Sequence, residues 1–206
     1  MYKMFIKRII DLILAFILLP FWFLFLLIVG PCIYFQDRGS IFYIAPRLGK
    51  NGKKFNMFKF RTMYVNAPDL RNNDRSTFSS EDDLRLTKIG KLIRKTSLDE
   101  TPQLLNILKG DMSFIGPRPD LPEAKEIYSN MEKKKLNVRP GVTGYNQAYY
   151  RNSATTKEKF RNDVYYVDNI SLVLDLKIFF STLKNVALRK NVFNNKTTLN
   201  SRGIDK

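Results

Sequence analysis

Two adjacent carboxylates, Asp99 and Glu100, stand inside the octet Thr-Ser-Leu-Asp-Glu-Thr-Pro-Gln (residues 96–103) of a chain that is otherwise heavily basic. Paired acids can divide the work of a transfer reaction, one attacking an electrophile while the other holds a metal ion. Arg94 and Lys95 lie just upstream, and a helix starting at the octet would turn its amide-rich end toward the same acids. Both features attract a phosphate and keep a carboxylate ionised. The competing reading is helix capping. Ser97 to Glu100 has capping-box spacing, and Thr101-Pro102 fits an N-cap followed by proline at the first helical position, so a helix begins here either way and runs to Gly110. Acids are favoured at such an end by the helix dipole.

Downstream, the run GDMSFIGPRPD sets Arg118 between Pro117 and Pro119, two prolines that fix the backbone and can aim a guanidinium fork at a phosphate or a base. In VRPGVTG, Arg139 beside Pro140, Gly141 and Gly144 can do similar work, with a plain turn as the alternative. The chain has no histidine, which removes Ser-His and Cys-His nucleophiles and most zinc sites. Its one cysteine, Cys32, lies in an apolar run, so no disulfide framework is expected and a reducing, cytosol-facing location is the natural reading. Lys and Arg outnumber Asp and Glu 35 to 19, a formal charge of +16. Such an excess calls for a polyanionic partner: nucleic acid, an anionic membrane surface or a phosphorylated substrate.

These residues need elements to place them. Leu12 to Phe35 is a 24-residue stretch without a charge, long enough as a helix to reach across a bilayer core. Lys3, Lys7 and Arg8 precede it, and Arg38, Arg47, Lys50, Lys53 and Lys54 follow, so both ends are expected on the cytosolic side. A segment that enters and returns satisfies this better than the alternative, a single-pass anchor, and Pro20 and Gly30-Pro31 are able to break or kink it. Asn51-Gly52 between aromatic-rich runs predicts a β-hairpin. Its Lys53, Lys54, Lys59 and Arg61, interleaved with Phe55, Phe58 and Phe60, faintly suggest a single-strand nucleic-acid platform, without the glycine and valine positions of an RNA-recognition signature. Asn66 to Asp83 reads as a mobile surface loop, and Leu84 to Lys95 as a basic helix with Ile89, Leu92 and Ile93 on one side. A last helix is expected from about Ser171 to Arg189, with Leu172, Leu176, Phe179, Phe180, Leu183, Val186 and Ala187 in a stripe that suits a core or a membrane surface equally. The expected organisation is a membrane helix over 1–36, a cytosolic domain over 37–193 and a polar tail over 194–206.

KRIID at 7–11, FKFRTM at 58–63, TSLDETPQLLNILKGDMSFIGPRPD at 96–120, VRPGVTGYNQ at 138–147 and DVYYVDNISLVLDLKI at 163–178 together resemble the bacterial sugar transferases, the monotopic phosphoglycosyl transferases of glycan assembly. The resemblance covers nearly the whole chain. It implies an α+β, helix-rich fold in which a re-entrant membrane helix joins a small cytosolic catalytic domain carrying a β-hairpin and amphipathic interfacial helices. It implies a location on the cytoplasmic face of the bacterial inner membrane, with a UDP-sugar and polyprenol (undecaprenyl) phosphate as partners, Mg²⁺ as cofactor, no nucleic acid, and a homodimer left open. By the same resemblance Asp99 attacks the β-phosphorus of the UDP-sugar and expels UMP, Glu100 holds Mg²⁺, Arg94 and Lys59 face phosphate, and Arg118 with its flanking prolines lies on the nucleotide side. Lys7, Arg8 and Asp11 match the element tying the membrane helix to the domain. The chain departs from the common pattern at Leu19-Pro20, which bears on the depth of insertion, at Tyr145-Asn146, which bears on ring contacts, and at Tyr149-Tyr150, which bears on sugar preference. Two non-catalytic alternatives stand beside this one: a basic membrane-anchored scaffold and a nucleic-acid-binding protein.

Overall fold

The structure is a computed structural model and describes residues 2–70, 80, 82–150 and 153–188. The expected tail at 194–206, Arg189, Arg151-Asn152 and most of the loop between Asn66 and Asp83 lie outside those residues. After a π-turn at Tyr2–Ile6, helix α1 (Lys7–Asp37) is continuous through Pro20 and Pro31, so neither proline ends it. It is long and apolar enough to cross a membrane by length and composition. Only one side of it is covered. Ala15 is wholly buried against Met57, Leu104, Ile107 and Met112, and Val29 and Ile33 pack on Phe60 and Ile93. Phe16, Phe21, Ile28 and Phe35 point away from the domain, the last 76 % exposed. A helix apolar all round with one bare face suits a lipid environment on that face.

Both ends of α1 are fastened to the same body. Near the start, Asp11 accepts from Ser113 Oγ and the Phe114 amide, both at 3.1 Å, and Arg8 Nη1 donates to the Ile107 carbonyl at 2.8 Å. At the far end, Asp37 pairs with Arg61 and accepts from the Val65 amide at 2.9 Å.

Strands β1 (Phe42–Leu48) and β2 (Lys54–Phe60) form the expected antiparallel hairpin, in register from Phe42 opposite Phe60 to Leu48 opposite Lys54. Asn51 and Gly52, at φ 59° and 71°, supply the left-handed turn that few other residues tolerate. The hairpin's aromatic residues are not a free platform: Phe60 is buried, stacked on Phe42 at 5.6 Å and edge-on to Phe25, while Phe55 packs on the core. Helix α2 (Lys88–Lys95) starts four residues later than its hydrophobic pattern predicts, because Thr87 caps it through Gly90 N at 2.9 Å. Leu86 is used instead in a bridge to Met63. Ile93 is buried but Leu92 is 59 % exposed, so the expected three-residue stripe is narrower.

Helix α3 (Gln103–Lys109) ends at Gly110 as expected, at φ 91°. Next come the parallel pair β3 (Ser113–Ile115) and β4 (Gly141–Thr143), then α4 (Tyr145–Tyr149), α5 (Thr156–Asp168) and α6 (Leu172–Ala187). In α6 the core face is Asp175 and Ile178, whereas Leu176, Phe179, Phe180 and Leu183 are exposed. The ambiguous stripe is therefore an outward apolar face. Asp175 joins the two halves of the chain: it accepts Lys7 Nζ at 2.7 Å, Tyr2 at 2.5 Å and Tyr166 at 2.7 Å.

Because Lys7 and Asp175 are nearly closed off from solvent, removing one partner leaves the other charge stranded. Asp175→Ala is expected to lower the stability of the detergent-solubilised protein by about 3 kcal/mol. The double change Lys7→Met with Asp175→Leu should recover part of it, as read by thermal unfolding. Equal losses in the single and double variants would show that the tyrosine hydrogen bonds, not the ion pair, hold this junction.

Candidate active site

The acid pair sits in a short crossing between two helices. α2 ends at Lys95, Ser97 turns the chain at φ 58°, a single 3-10 turn covers Leu98–Glu100, and α3 begins three residues later. Neither cap forms as the spacing suggests. The Ser97 side chain makes no capping bond, and Thr101 Oγ1 donates backward to the Leu98 carbonyl at 2.8 Å. The acids are thus free for other contacts. Asp99 is 8 % exposed. Glu100 Oε1 accepts Lys59 Nζ from β2 at 2.6 Å and Arg118 Nη2, from the loop after β3, at 3.4 Å.

Each cation is delivered by a buried support. Asn106, fully buried in α3, donates to the Asn56 carbonyl at 2.8 Å and accepts from the Phe58 amide at 2.9 Å, locking β2 so that Lys59 faces Glu100. On the other side the Gly-Pro-Arg-Pro loop crosses the Arg-Pro-Gly segment backbone to backbone, with Gly116 N on the Thr143 carbonyl and Gly141 N on the Pro117 carbonyl, both at 2.9 Å. A Cβ on Gly141 would lie 2.1 Å from Gly116 N, so only glycine permits this crossing. Pro117 is buried and Pro119 half-buried, leaving Arg118 between them half exposed at the mouth of the site. Beneath the loop, Lys135 bridges Asp163 and Asp120 at 2.6 and 2.5 Å. Sequence reading missed Asn106 and Lys135. The signal for Asn106 was a lone amide inside the apolar run LLNIL, since a buried polar side chain of that kind must be fully engaged.

Electrostatics separate the two acids. Burial pushes the Asp99 carboxyl up to about 6, and the charge of Glu100 adds to this, while Lys59, Arg94 and Arg118 pull it back. Burial acts on Glu100 too, but Lys59 and Arg118 outweigh it and hold this carboxyl well below the usual range. The expectation that neighbouring cations would dominate at Asp99 is corrected here: desolvation wins there. Asp99 remains largely ionised at neutral pH, poorly solvated and hence a stronger nucleophile than a surface carboxylate. Arg94 Nη1 is buried with no hydrogen-bond partner, a donor waiting beside Asp99 for an acceptor such as a phosphate oxygen. Arg139 is not brought to this group. Its Nε donates to the Gly110 carbonyl at 2.8 Å, at the opposite end of α3, beside Arg8.

No cluster of three or more acidic, histidine or cysteine side chains occurs among the described residues. Mg²⁺ does not need one, since it is commonly held by one or two carboxylates with water and substrate phosphates. The hard carboxylate oxygens of Glu100, the acid expected to hold the ion, fit that requirement.

A model of the family described as "Bacterial sugar transferase" matches residues 2–189. The chain is 40 % identical over 189 residues to "Uncharacterized sugar transferase EpsL" of Bacillus subtilis, covering 92 % of this chain and 91 % of that protein. It is 40 % identical over 199 residues to "Exopolysaccharide production protein ExoY" of Sinorhizobium fredii, covering 91 % and 88 %. With "Undecaprenyl-phosphate galactose phosphotransferase" of Salmonella typhimurium the identity is 35 % over 206 residues, covering 92 % of this chain but 42 % of that longer protein.

A carboxyl raised from 3.8 to about 6 by folding makes the folded state the better proton binder in that window, so stability is lost as pH rises through it. Asp99→Asn is therefore expected to melt at or above the wild-type temperature at pH 7.5, by up to about 3 kcal/mol, and the advantage should vanish near pH 4. A clear loss of stability at pH 7.5 would mean that the carboxylate serves the fold, as a cap would.

Proposed function

The chain belongs to the bacterial sugar transferase family, and we propose that it moves a sugar 1-phosphate from a UDP-sugar to polyprenol phosphate through a covalent aspartyl intermediate. The observation that carries this reading is the desolvated Asp99, set near Arg94, whose Nη1 is buried without a partner, and beside a second acid paired with two cations. In the first step an Asp99 oxygen attacks the β-phosphorus, the bond to the UMP oxygen breaks, and UMP leaves. In the second, an oxygen of polyprenol phosphate attacks the same phosphorus and the aspartyl–phosphorus bond breaks, returning the carboxylate. Both nucleophiles are anions, so no general base is required, in keeping with a chain that lacks histidine.

Arg94 is placed to take an oxygen of the transferred phosphoryl group, and Lys59 and Arg118 to keep the site positive as UMP departs. Glu100 is the residue that would hold Mg²⁺, which when bound would neutralise charge on the diphosphate, leaving Asp99 to attack. The same reading puts the enzyme on the cytoplasmic face with α1 dipping into one leaflet. It is supported by the ties at both ends of α1 to one body, which a spanning helix could not keep, and by the bare apolar faces of α1 and α6.

Labelled UMP is expected to exchange into UDP-sugar without any lipid acceptor, because the first step is complete and reversible by itself. Asp99→Asn should abolish exchange. Glu100→Gln should cut it at least a hundredfold and alter its Mg²⁺ dependence. Absence of exchange under conditions that give full turnover would favour direct transfer in a ternary complex. Cysteine-accessibility labelling from each side, on a background with Cys32 replaced, should find both termini in the cytosol. Termini on opposite faces would end the re-entrant reading.

A further inference from the structure

At the end of α3 away from the acid pair lies a second basic site. A cavity of about 360 Å³ opens there, walled by Lys3, Arg8, Lys50 and Arg139, with Asp11 at its edge. That volume suits a small ligand. Three of the cations are aimed by backbone carbonyls: Lys3 by Val167 at 3.1 Å, Arg8 by Ile107 at 2.8 Å and Arg139 by Gly110 at 2.8 Å. Among the described residues none of the four has a carboxylate within ion-pair distance. A carbonyl dipole fixes a cation without cancelling its charge, so the cluster is organised yet unneutralised. Asp11 keeps its charge under its bonds from Ser113 and Phe114 and offsets part of that of Arg8, leaving Lys3, Lys50 and Arg139 as the cations it does not balance. Like charges gathered in one concavity favour an anion that can lie between them.

The remaining wall identifies the kind of anion. Phe5, Val138 and Ile170 make it apolar on one side, and Phe5 is 65 % exposed. Phe5, Ile9, Ile13 and Phe16 follow at helical spacing and are all exposed, so the mouth of the cavity continues into the bare face of α1. A ligand filling both would carry a phosphate at one end and hydrocarbon at the other. We propose that this cavity is a lipid site, separate from the catalytic centre, that binds the headgroup phosphate of an anionic membrane phospholipid. The proposal rests on the membrane-facing reading of α1 and not on the chemistry at Asp99. Lys3 and Lys50 come from opposite sides of the membrane run, so a headgroup between them would staple the start of α1 to the hairpin loop.

The test uses the full chain in neutral detergent, with neither donor nor acceptor present, so that catalytic failure does not affect it. Binding of phosphatidylglycerol, phosphatidylcholine with the same chains, polyprenol phosphate and inorganic phosphate is measured by native mass spectrometry or thermal shift. Phosphatidylglycerol should bind at least tenfold more tightly than phosphatidylcholine and inorganic phosphate. Asp99→Asn should bind it unchanged, while the double variant Lys3→Gln, Lys50→Gln should lose at least fivefold with its lipid-free melting temperature within about 2 degrees of wild type. Arg139→Gln is a second route to the same loss if the double variant does not fold. Equal binding of the two phospholipids, or full binding by a folded charge variant, would overturn the proposal. So would inorganic phosphate binding as tightly as the lipid, which would make this a free-anion site. Polyprenol phosphate binding tenfold more tightly than phosphatidylglycerol would replace it with a holding site for the acceptor.

Discussion

Keeping a charge on a carboxylate that is closed off from water is the constraint around which this molecule is built. Desolvation favours the protonated form of Asp99, and the adjacent Glu100 adds to this with a like charge. The counterweight is a set of cations that offset both carboxylates. Lys59 and Arg118 do this from two different parts of the chain, and each depends on a buried polar support. Asn106 ties β2 to α3, and Lys135 with Asp120 and Asp163 underpins the loop of Arg118. The small core is accordingly rich in buried polar groups. Such groups contribute little net stability compared with apolar packing, but they admit few alternative arrangements.

The candidate site was more legible in the sequence than the architecture around it. Asp99, Glu100 and Arg118 stood out by residue type and spacing, Lys59 and the phosphate role of Arg94 by the family resemblance, and the structure brings Lys59 and Arg118 to the acid pair with Arg94 beside it. Arg139 could not be placed, because its neighbours Pro140 and Gly141 fix the backbone and say nothing about where the side chain goes. The backbone does reach the active-site loop, at Gly116 and Pro117, while the guanidinium turns to the far end of α3. The hairpin was readable from Asn51-Gly52. The β3–β4 pair was not, since strands of three residues are too short to show a period. The start of α2 was misjudged because Leu84 and Leu86 continue a helical pattern that Thr87 cuts off. For α6 the pattern was right and its direction was open: an apolar stripe looks the same in sequence whether it meets a core or a bilayer.

Helix α3, only seven residues long, is the common reference for both the chemistry and the membrane. Its entry carries the acid pair, and its exit presents Ile107, Leu108 and Gly110 carbonyls to Arg8 and Arg139. Its side packs Leu104 and Ile107 on Ala15 of α1, a residue with no exposed surface and no room for a larger side chain without displacement. The position of Asp99 relative to α1 is therefore set in part by one small-residue contact and the Arg8 hydrogen bonds. That geometry bears on the proposed transfer to polyprenol phosphate. A polyprenol phosphate cannot rise far from the headgroup layer without exposing hydrocarbon at roughly 25 cal/mol per Å². On the proposed mechanism Asp99 has to be brought down to the lipid. Direct packing of α1 on α3, in place of a flexible link to the domain, is an arrangement that would do so.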